Sequence, residues 1–310
     1  MATETAFVFP GQGSQSVGML RELAATHPEV QQTFQQASDA LGFDLWGLVR
    51  EGPEQELNRT ERTQPAMLAA GVAAWRVWRA TGGPVPGLMA GHSLGEYTAL
   101  VCAGSLDFAD GVALVAERGR FMQEAVPEGE GALAAVLGLD AERLAELCSA
   151  QTDGVVEPAN YNAPGQLVIG GDAAAVDRVL EQARAAGAKR ALRLPVSVPA
   201  HTRLMRPAGE RLAERLQQVT LRAPSVPVIH NVDLSRAAEG EAIRERLVRQ
   251  VANPVRWVET VELMASEGVT RVVECGPGKV LAALVRRIRR ELSVQAITDP
   301  AGLEQALSGA

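Results

Sequence analysis

The 310-residue chain is long enough to bury a large core in one or two domains, and 46% hydrophobic with 22% charged residues is an ordinary globular balance. A net charge of −7 argues against a general nucleic-acid binder and obliges any acidic partner to land on a local basic patch. No apolar run is long enough to span a bilayer, and Met1-Ala2-Thr3-Glu4-Thr5 lacks the positive region of a secretory signal, so a cytoplasmic protein without membrane contact is expected. Cys102, Cys148 and Cys275 are scattered and form no C-x-x-C, and His27, His92, His201 and His230 show no ligand spacing. Reduced thiols and no metal site are the expectation.

In chain order, Ala6-Phe7-Val8-Phe9 reads as a short buried strand closed by Pro10-Gly11. Val30, Phe34, Ala37 and Leu41 recur at helical spacing. Leu68, Val72 and Trp75 do so after Pro65, which suits a first helical turn. Gly87-Leu88-Met89-Ala90 is strand-like, and Glu96 to Val101 can begin a buried helix. Residues 107–124 form a longer helical stretch carrying Arg118. Around Pro127-Glu128-Gly129-Glu130-Gly131 the texture changes. Strands are expected near 132–137, 155–160, 166–170 and 191–196, and helices near 141–150 and 173–186, the second closed by Gly187. This β-α-β-β-α-β unit suits an insertion of ferredoxin-like type. Helix then follows His201, with a strand near Val226-Pro227-Val228-Ile229 and helices near 240–251 and 257–267. A strand at Val272-Val273-Glu274 and an Arg-rich helix over 279–290 come last. The alternation predicts an α/β fold with a mostly parallel sheet flanked by helices.

The chemistry centres on Gly91-His92-Ser93-Leu94-Gly95, a G-x-S-x-G between a strand-like and a helix-like run. Two glycines allow a sharp turn that pushes the Ser93 hydroxyl out beside a helix N-terminus, where N–H groups and the helix dipole favour an oxyanion. In a chain of 30 glycines the pentapeptide alone does not decide the matter. Ser93 needs a base, because a serine hydroxyl is a weak nucleophile at neutral pH. His201, at the end of Pro195-Val196-Ser197-Val198-Pro199-Ala200-His201, is the best candidate, and His230, beside Asn231 and Asp233, is the rival. His92 adjoins Ser93 but points elsewhere on an elbow, and His27 before Pro28 reads as structural. No third member is visible: Asp233 is a carboxylate that nothing ties to His201, and a backbone carbonyl orients an imidazole equally well.

Gly11-Gln12-Gly13 is a plain tight turn, a phosphate loop (though without the Lys-Ser/Thr of a P-loop), or a source of N–H groups and one amide that complete an oxyanion hole with the N–H of Leu94. Arg118 in its apolar helix can grip a carboxylate with two parallel hydrogen bonds. On the residues alone, a solvated arginine or one paired with Glu117 or Glu124 is the plainer reading. Glu274-Cys275-Gly276-Pro277-Gly278-Lys279 has the look of a phosphate-binding turn and is read as a strand-to-helix connection. Two basic clusters stand out: Arg286, Arg287, Arg289 and Arg290, and Arg184, Lys189, Arg190 and Arg193. Such clusters are usually solvated faces, and they are also the landing sites open to an acidic partner.

Several long segments together closely resemble the malonyl-CoA:acyl carrier protein transacylases of bacterial type II fatty-acid synthesis. They are Phe7-Val8-Phe9-Pro10-Gly11-Gln12-Gly13-Ser14-Gln15, Gly91 to Tyr97, Arg118 to Gln123, Asn160 to Gln166, Val198 to His201, Gln250 to Val255 and Gly276 to Leu281. The resemblance runs nearly the full length. It implies an α/β-hydrolase-like core over 1–127 and 198–310, with a ferredoxin-like subdomain inserted at about 128–197. It implies Ser93 as nucleophile, His201 as base and the main-chain carbonyl of Gln250 as the group that orients His201. The N–H groups of Gln12 and Leu94 would form the oxyanion hole, Arg118 would hold the free malonyl carboxylate and Asn162 would line the pocket. The implied partners are malonyl-CoA and an acidic acyl carrier protein, docked through the 286–290 or 184–193 cluster, with no metal or cofactor and a monomeric enzyme. Ala200 departs from the pattern, because relatives often carry Ser there; this puts pocket polarity in doubt, not the catalytic pair. A serine (thio)esterase, or an acyltransferase of a polyketide or malonate-decarboxylase system, is the alternative.

Overall fold

Burial on both faces explains why Thr5–Phe9 (β1) forms the centre of a parallel sheet: Ala6 to Phe9 have no exposed surface. The computed structural model describes residues 4–196 and 198–309, so Met1-Ala2-Thr3 and the Ser197 of the pre-His201 motif lie outside it. After β1 come α1 (Arg21–Thr26), α2 (Pro28–Leu41), α3 (Leu45–Glu51), α4 (Glu54–Leu57) and α5 (Thr60–Ala80). Then follow β2 (Leu88–Gly91), α6 (Leu94–Cys102) and α7 (Phe108–Ala125). The next stretch holds β3 (Gly131–Leu137), α8 (Ala141–Ser149), β4 (Val156–Ala163), β5 (Gln166–Asp172), α9 (Ala173–Ala185) and β6 (Arg190–Arg193). The chain closes with α10 (Arg206–Leu216), β7 (Val228–Ile229), α11 (Gly240–Val251), α12 (Trp257–Ser266), β8 (Arg271–Cys275), α13 (Val280–Ile288), β9 (Ser293–Ile297) and α14 (Pro300–Ser308).

The structure is mixed α/β, with two sheets. A parallel five-stranded sheet has the order β7-β2-β1-β8-β9, and an antiparallel four-stranded sheet has the order β4-β5-β3-β6. Side chains alternate across the parallel sheet with period two. Phe7, Phe9, Met89 and Val273 join the core beneath α2, α5 and α7, whereas Ala6, Val8, Ala90 and Val272 join a second core with Trp257 and Val261 of α12 and Leu281 of α13. Phe7 meets Trp75 and Trp78 of α5 edge-on at 5.5 and 5.2 Å, which fixes α5 across the sheet. A third core lies between the antiparallel sheet and its two helices, α8 and α9.

Three boundaries differ from expectation. Helix α5 begins at Thr60, so Pro65 lies inside it rather than in its first turn. The apolar spacing of Leu68, Val72 and Trp75 marks only the later, core-facing part; Thr60-Glu61-Arg62-Thr63 is polar and adds the first turn. Strand β6 stops at Arg193, because Pro195 has no N–H to extend a ladder. Helix α13 stops at Ile288, with Arg289 already extended, so the last two arginines of the expected helix are outside it. Helices α1, α3, α4 and α14 and strand β9 go beyond the expected elements: they are short, and their apolar residues are too few to show a period.

Candidate active site

The site is built where β2 turns into α6. The five residues after Ala90 reverse direction so tightly that a Cβ on Gly91 would lie 1.9 Å from the Gly95 carbonyl carbon, and one on Gly95 would lie 2.0 Å from the Phe9 carbonyl oxygen. Only glycine fits either place. Between them Ser93 is held at φ 52°, ψ −108°, a strained backbone for an L-residue, costing on the order of 1–3 kcal/mol. The surroundings enforce it. Asn231, just past β7, accepts the Ser93 N–H at 2.7 Å and donates to the Gly91 carbonyl at 2.7 Å.

His201 lies between β6 and α10 and is 3% exposed. Its backbone also takes a positive φ, 64°, and its N–H donates to the Val251 carbonyl at 3.0 Å. Its Nδ1 is 2.9 Å from the Gln250 carbonyl oxygen and 3.2 Å from that of Asn253. Carbonyls only accept, so Nδ1 carries the proton and Nε2 offers a lone pair. That lone pair faces the Ser93 hydroxyl, which donates to Nε2 at 2.7 Å. Burial, the Arg118 charge and His92 together push the His201 pKa down to about 3, against the pull of the two carbonyls, so the ring is neutral at physiological pH.

The rivals are elsewhere. His230 has no exposed surface and its Nδ1 donates to Glu96 Oε1 at 2.7 Å, so it serves the underside of the elbow and not Ser93 Oγ. Asp233 is taken by Ser235, Arg246 and Arg249. His92 is engaged elsewhere: its ring packs at a tilt of 57° against Trp257, centroids 5.6 Å apart, and pairs with Asn162 Oδ1 at 2.8 Å. Asn162 comes from the antiparallel sheet, at a β-bulge between Tyr161 and Ala163, and such an irregularity re-aims a side chain. The same edge of β4 is tied to the loop after α11 by Tyr161 N–H to the Val255 carbonyl (3.0 Å) and Val255 N–H to the Ala159 carbonyl (2.9 Å). The two sheets therefore meet at the site.

Arg118 on α7 is 2% exposed. Neither Glu117 nor Glu124 takes it: Glu117 pairs with Arg215, and Glu124 with Arg211. Instead Arg118 Nη1 donates to Gln64 Oε1 at 2.7 Å and Nη2 to Gln250 Oε1 at 3.0 Å, with Ser93 Oγ at 3.4 Å. Its guanidinium carbon is 5.2 Å from the centre of the Tyr97 ring, and its Nε is buried without an acceptor. Among the described residues no carboxylate lies within 4 Å of it. A buried cation without an anion is costly, and the arrangement is ready for one.

The Gly11-Gln12-Gly13 turn packs directly on the elbow, since a Cβ on Gly11 would lie 2.5 Å from the His92 carbonyl oxygen. Asn231 takes the Ser93 N–H, and Leu94 is the first residue of α6. Neither the Leu94 nor the Gln12 N–H has an acceptor among the described residues. Gln64, Glu96, Asn231 and the side chain of Gln250 were not assigned roles from sequence. A faint signal existed for two of them: Glu96 and Gln64 are polar residues within runs that are otherwise buried.

The basic clusters are partly spent. Arg286 donates to the Val294 carbonyl, Arg287 to Gln166 of the antiparallel sheet, and Arg289 pairs with Glu262 and Glu291. Arg184 donates to the Ala191 carbonyl and Arg193 pairs with Asp177. Arg290, Lys189 and Arg190 have no acidic partner within 4 Å among the described residues. No group of acidic, histidine and cysteine side chains that could hold a metal ion, and no helix long and apolar enough to cross a membrane, is present among the described residues.

Residues 6–301 match the model of the acyl transferase domain family. The chain is 56% identical over 307 residues to the malonyl CoA-acyl carrier protein transacylase of Salmonella typhimurium, covering 99% of both chains, and 45% identical to that of Bacillus subtilis, covering 98% and 96%. Among solved structures, the malonyl-CoA:acyl carrier protein transacylase of Xanthomonas oryzae superposes with a TM-score of 0.98 at 53% identity, over 100% of this chain and 99% of that one. A malonyl-transacylase solved in complex with its type II PKS acyl-carrier protein gives 0.98 at 54% identity, over 99% and 100%. With a serine–histidine pair at the elbow and likeness of this extent, the chain belongs to the acyl transferase domain family, among its malonyl CoA-acyl carrier protein transacylases.

Proposed function

We propose that the chain moves a malonyl group from malonyl-CoA to the phosphopantetheine thiol of acyl carrier protein, through an ester on Ser93. One observation carries the choice of acyl group: the buried, anion-free Arg118 beside the Ser93–His201 pair. Ser93 Oγ attacks the thioester carbon while its proton passes to His201 Nε2. The oxyanion rests on the N–H groups of Gln12 and Leu94. The C–S bond breaks, the CoA sulfur takes the proton from His201, and malonyl-Ser93 remains. The carrier thiol then repeats the sequence in reverse, which is a ping-pong double displacement. A thioester is already activated, so this chemistry calls for no metal or cofactor.

Arg118 has two uses in this scheme. Its fork receives the malonyl carboxylate, whereas an acetyl group leaves it desolvated and unpaired, at a cost of about 1–3 kcal/mol. A carboxylate on Arg118 also removes one of the charges that depress His201, so the correct substrate makes the base stronger. Asn162, fixed by His92, lines the side of the pocket facing the antiparallel sheet.

The architecture fits this reading. The strand order β4-β5-β3-β6, joined β-α-β-β-α-β, supports a ferredoxin-like subdomain over 128–197. The parallel sheet with its serine elbow supports an α/β-hydrolase-like core over 1–127 and 198–310. Arg286, Arg287 and Arg290, with Arg184, Lys189 and Arg190, have no carboxylate within 4 Å among the described residues and are the side chains of the two clusters open to an acidic carrier, and a cytoplasmic monomer meeting soluble substrates is the setting. Supplying fatty-acid synthesis is the role the relatives' names favour. The complex of a 54% identical transacylase with a polyketide carrier favours the same reaction on that kind of carrier as the second reading.

The experiment is a chase. Enzyme loaded from radiolabelled malonyl-CoA is freed of CoA and mixed with holo acyl carrier protein. Label appearing on the carrier thiol is the predicted result. Label released as free malonate, with the carrier unmodified, would make the protein a thioesterase.

A further inference from the structure

Beneath the elbow lies a carboxylate that the reaction does not use. Glu96, on the first turn of α6, has no exposed surface. Three donors converge on it: His230 Nδ1 on Oε1 at 2.7 Å, and the Asn231 N–H and Gln250 Nε2 on Oε2 at 2.9 and 2.8 Å. Gln250 Nε2 also donates to the Ser93 carbonyl at 3.0 Å, while Gln250 Oε1 accepts from Arg118 Nη2 at 3.0 Å.

A glutamine amide has two faces, and its neighbours decide which way it points. On one side Gln250 meets a carboxylate and a carbonyl, which only accept. On the other it meets a guanidinium, which only donates. A flipped amide would set oxygen against two oxygens and N–H against N–H. Glu96 is the charged acceptor in the set that forbids the flip, and charge-assisted bonds are the strong ones. The amide so locked is one of two amide acceptors, with Gln64, that hold the Arg118 fork in place.

We propose that Glu96 is a positioning residue for acyl selectivity: it locks the Gln250 amide so that its oxygen aims the Arg118 fork at the carboxylate of the acyl group. This rests on the proposed role of Arg118. A carboxylate-bearing donor needs the fork correctly placed for bidentate contact, and an acetyl donor does not.

The test is loading of Ser93 from malonyl-CoA and from acetyl-CoA, followed by intact mass, in Glu96→Ala, Glu96→Gln, Gln250→Leu and the Glu96→Ala/Gln250→Leu pair. Glu96→Ala is expected to cut the malonyl-to-acetyl ratio of kcat/KM by roughly ten- to a hundredfold, the loss falling mainly on malonyl. Glu96→Gln keeps an oxygen towards Gln250 and Asn231 by turning its NH2 to His230, which can accept at Nδ1 as the other tautomer. It should therefore rescue the ratio. Gln250→Leu should lower the ratio as Glu96→Ala does, and the double variant should fall no further, because the two act in series. Equal loss for both acyl groups, additive effects in the pair, or a ratio lost equally in Glu96→Gln would overturn the proposal. Where Glu96→Ala does not fold, Glu96→Met replaces it. If neither folds, the carboxylate is a scaffold residue and the proposal fails. Wild-type enzyme that gains no malonyl on Ser93 would instead overturn the function on which the proposal stands.

Discussion

Two strand-to-helix turns flank β1, one from β2 into α6 and the other from β8 into α13. Both are glycine-bearing, both leave the same end of a parallel sheet, and both end at a helix N-terminus. At the second turn the chain supplies its own acceptor. Glu274 Oε1 and Oε2 accept the N–H groups of Leu281 and Ala282 at 3.1 and 2.7 Å. Burial raises the Glu274 pKa to about 7, although the Ala282, Leu281 and Val280 N–H groups pull it down. At the first turn no side chain caps α6, and strained Ser93 occupies the junction. The N-terminus of a helix attracts anions wherever it occurs. What makes one turn a site and the other a strut is whether the chain has already filled it.

The largest effects should come from emptying the open turn. Ser93→Ala or His201→Ala should slow malonyl loading by about 10,000-fold or more, since the pair acts as a unit, and rapid-quench loading measures it. Loading at the wild-type rate in either variant would mean that the β2–α6 turn is not where the acyl group is taken up. Next in size is Arg118→Ala, which should reduce malonyl kcat/KM by roughly ten- to a hundredfold and acetyl kcat/KM much less. An equal loss for both would remove Arg118 from selectivity.

The pH profile sharpens the same contrast. A base works in its deprotonated form, and with its pKa near 3 His201 is already deprotonated well below neutrality. The kcat/KM for loading, which reports the free enzyme, should therefore be flat from pH 8 to about pH 5 and fall only as pH approaches the depressed value. An acid limb centred near 6.5 would mean an unshifted His201. The smallest effect belongs to the filled turn. Glu274→Gln puts an NH2 against one backbone N–H and should cost about 1–3 kcal/mol in denaturant unfolding, with Ser93 loading of the folded enzyme unchanged. Loss of loading without loss of stability would show that the β8–α13 turn has chemistry of its own.

Much of this was legible in the sequence because it is local. G-x-S-x-G between a strand and a helix marks the elbow, and alternating periods mark both sheets. The partners of Ser93 were less legible, because they converge from residues far apart. Gln250 is 157 residues from the Ser93 carbonyl it holds, and Asn231 is 138 from the N–H it accepts. The histidines needed the fold: His201 and His230 each close a largely apolar stretch of sequence, and only the geometry gives one to Ser93 and the other to Glu96. Pro65 misled for a plain reason. A proline is most at home in a first turn, yet α5 carries it five residues past Thr60, directly after the Gln64 that holds Arg118.

The most direct measurement is peptide-mapped mass of the wild-type, Ser93→Ala and Glu274→Gln proteins after brief exposure to malonyl-CoA. One malonyl group is expected on the Ser93 peptide in the wild type and in Glu274→Gln, and none in Ser93→Ala. A malonyl group that persists in Ser93→Ala, or that maps to another residue, would contradict that expectation.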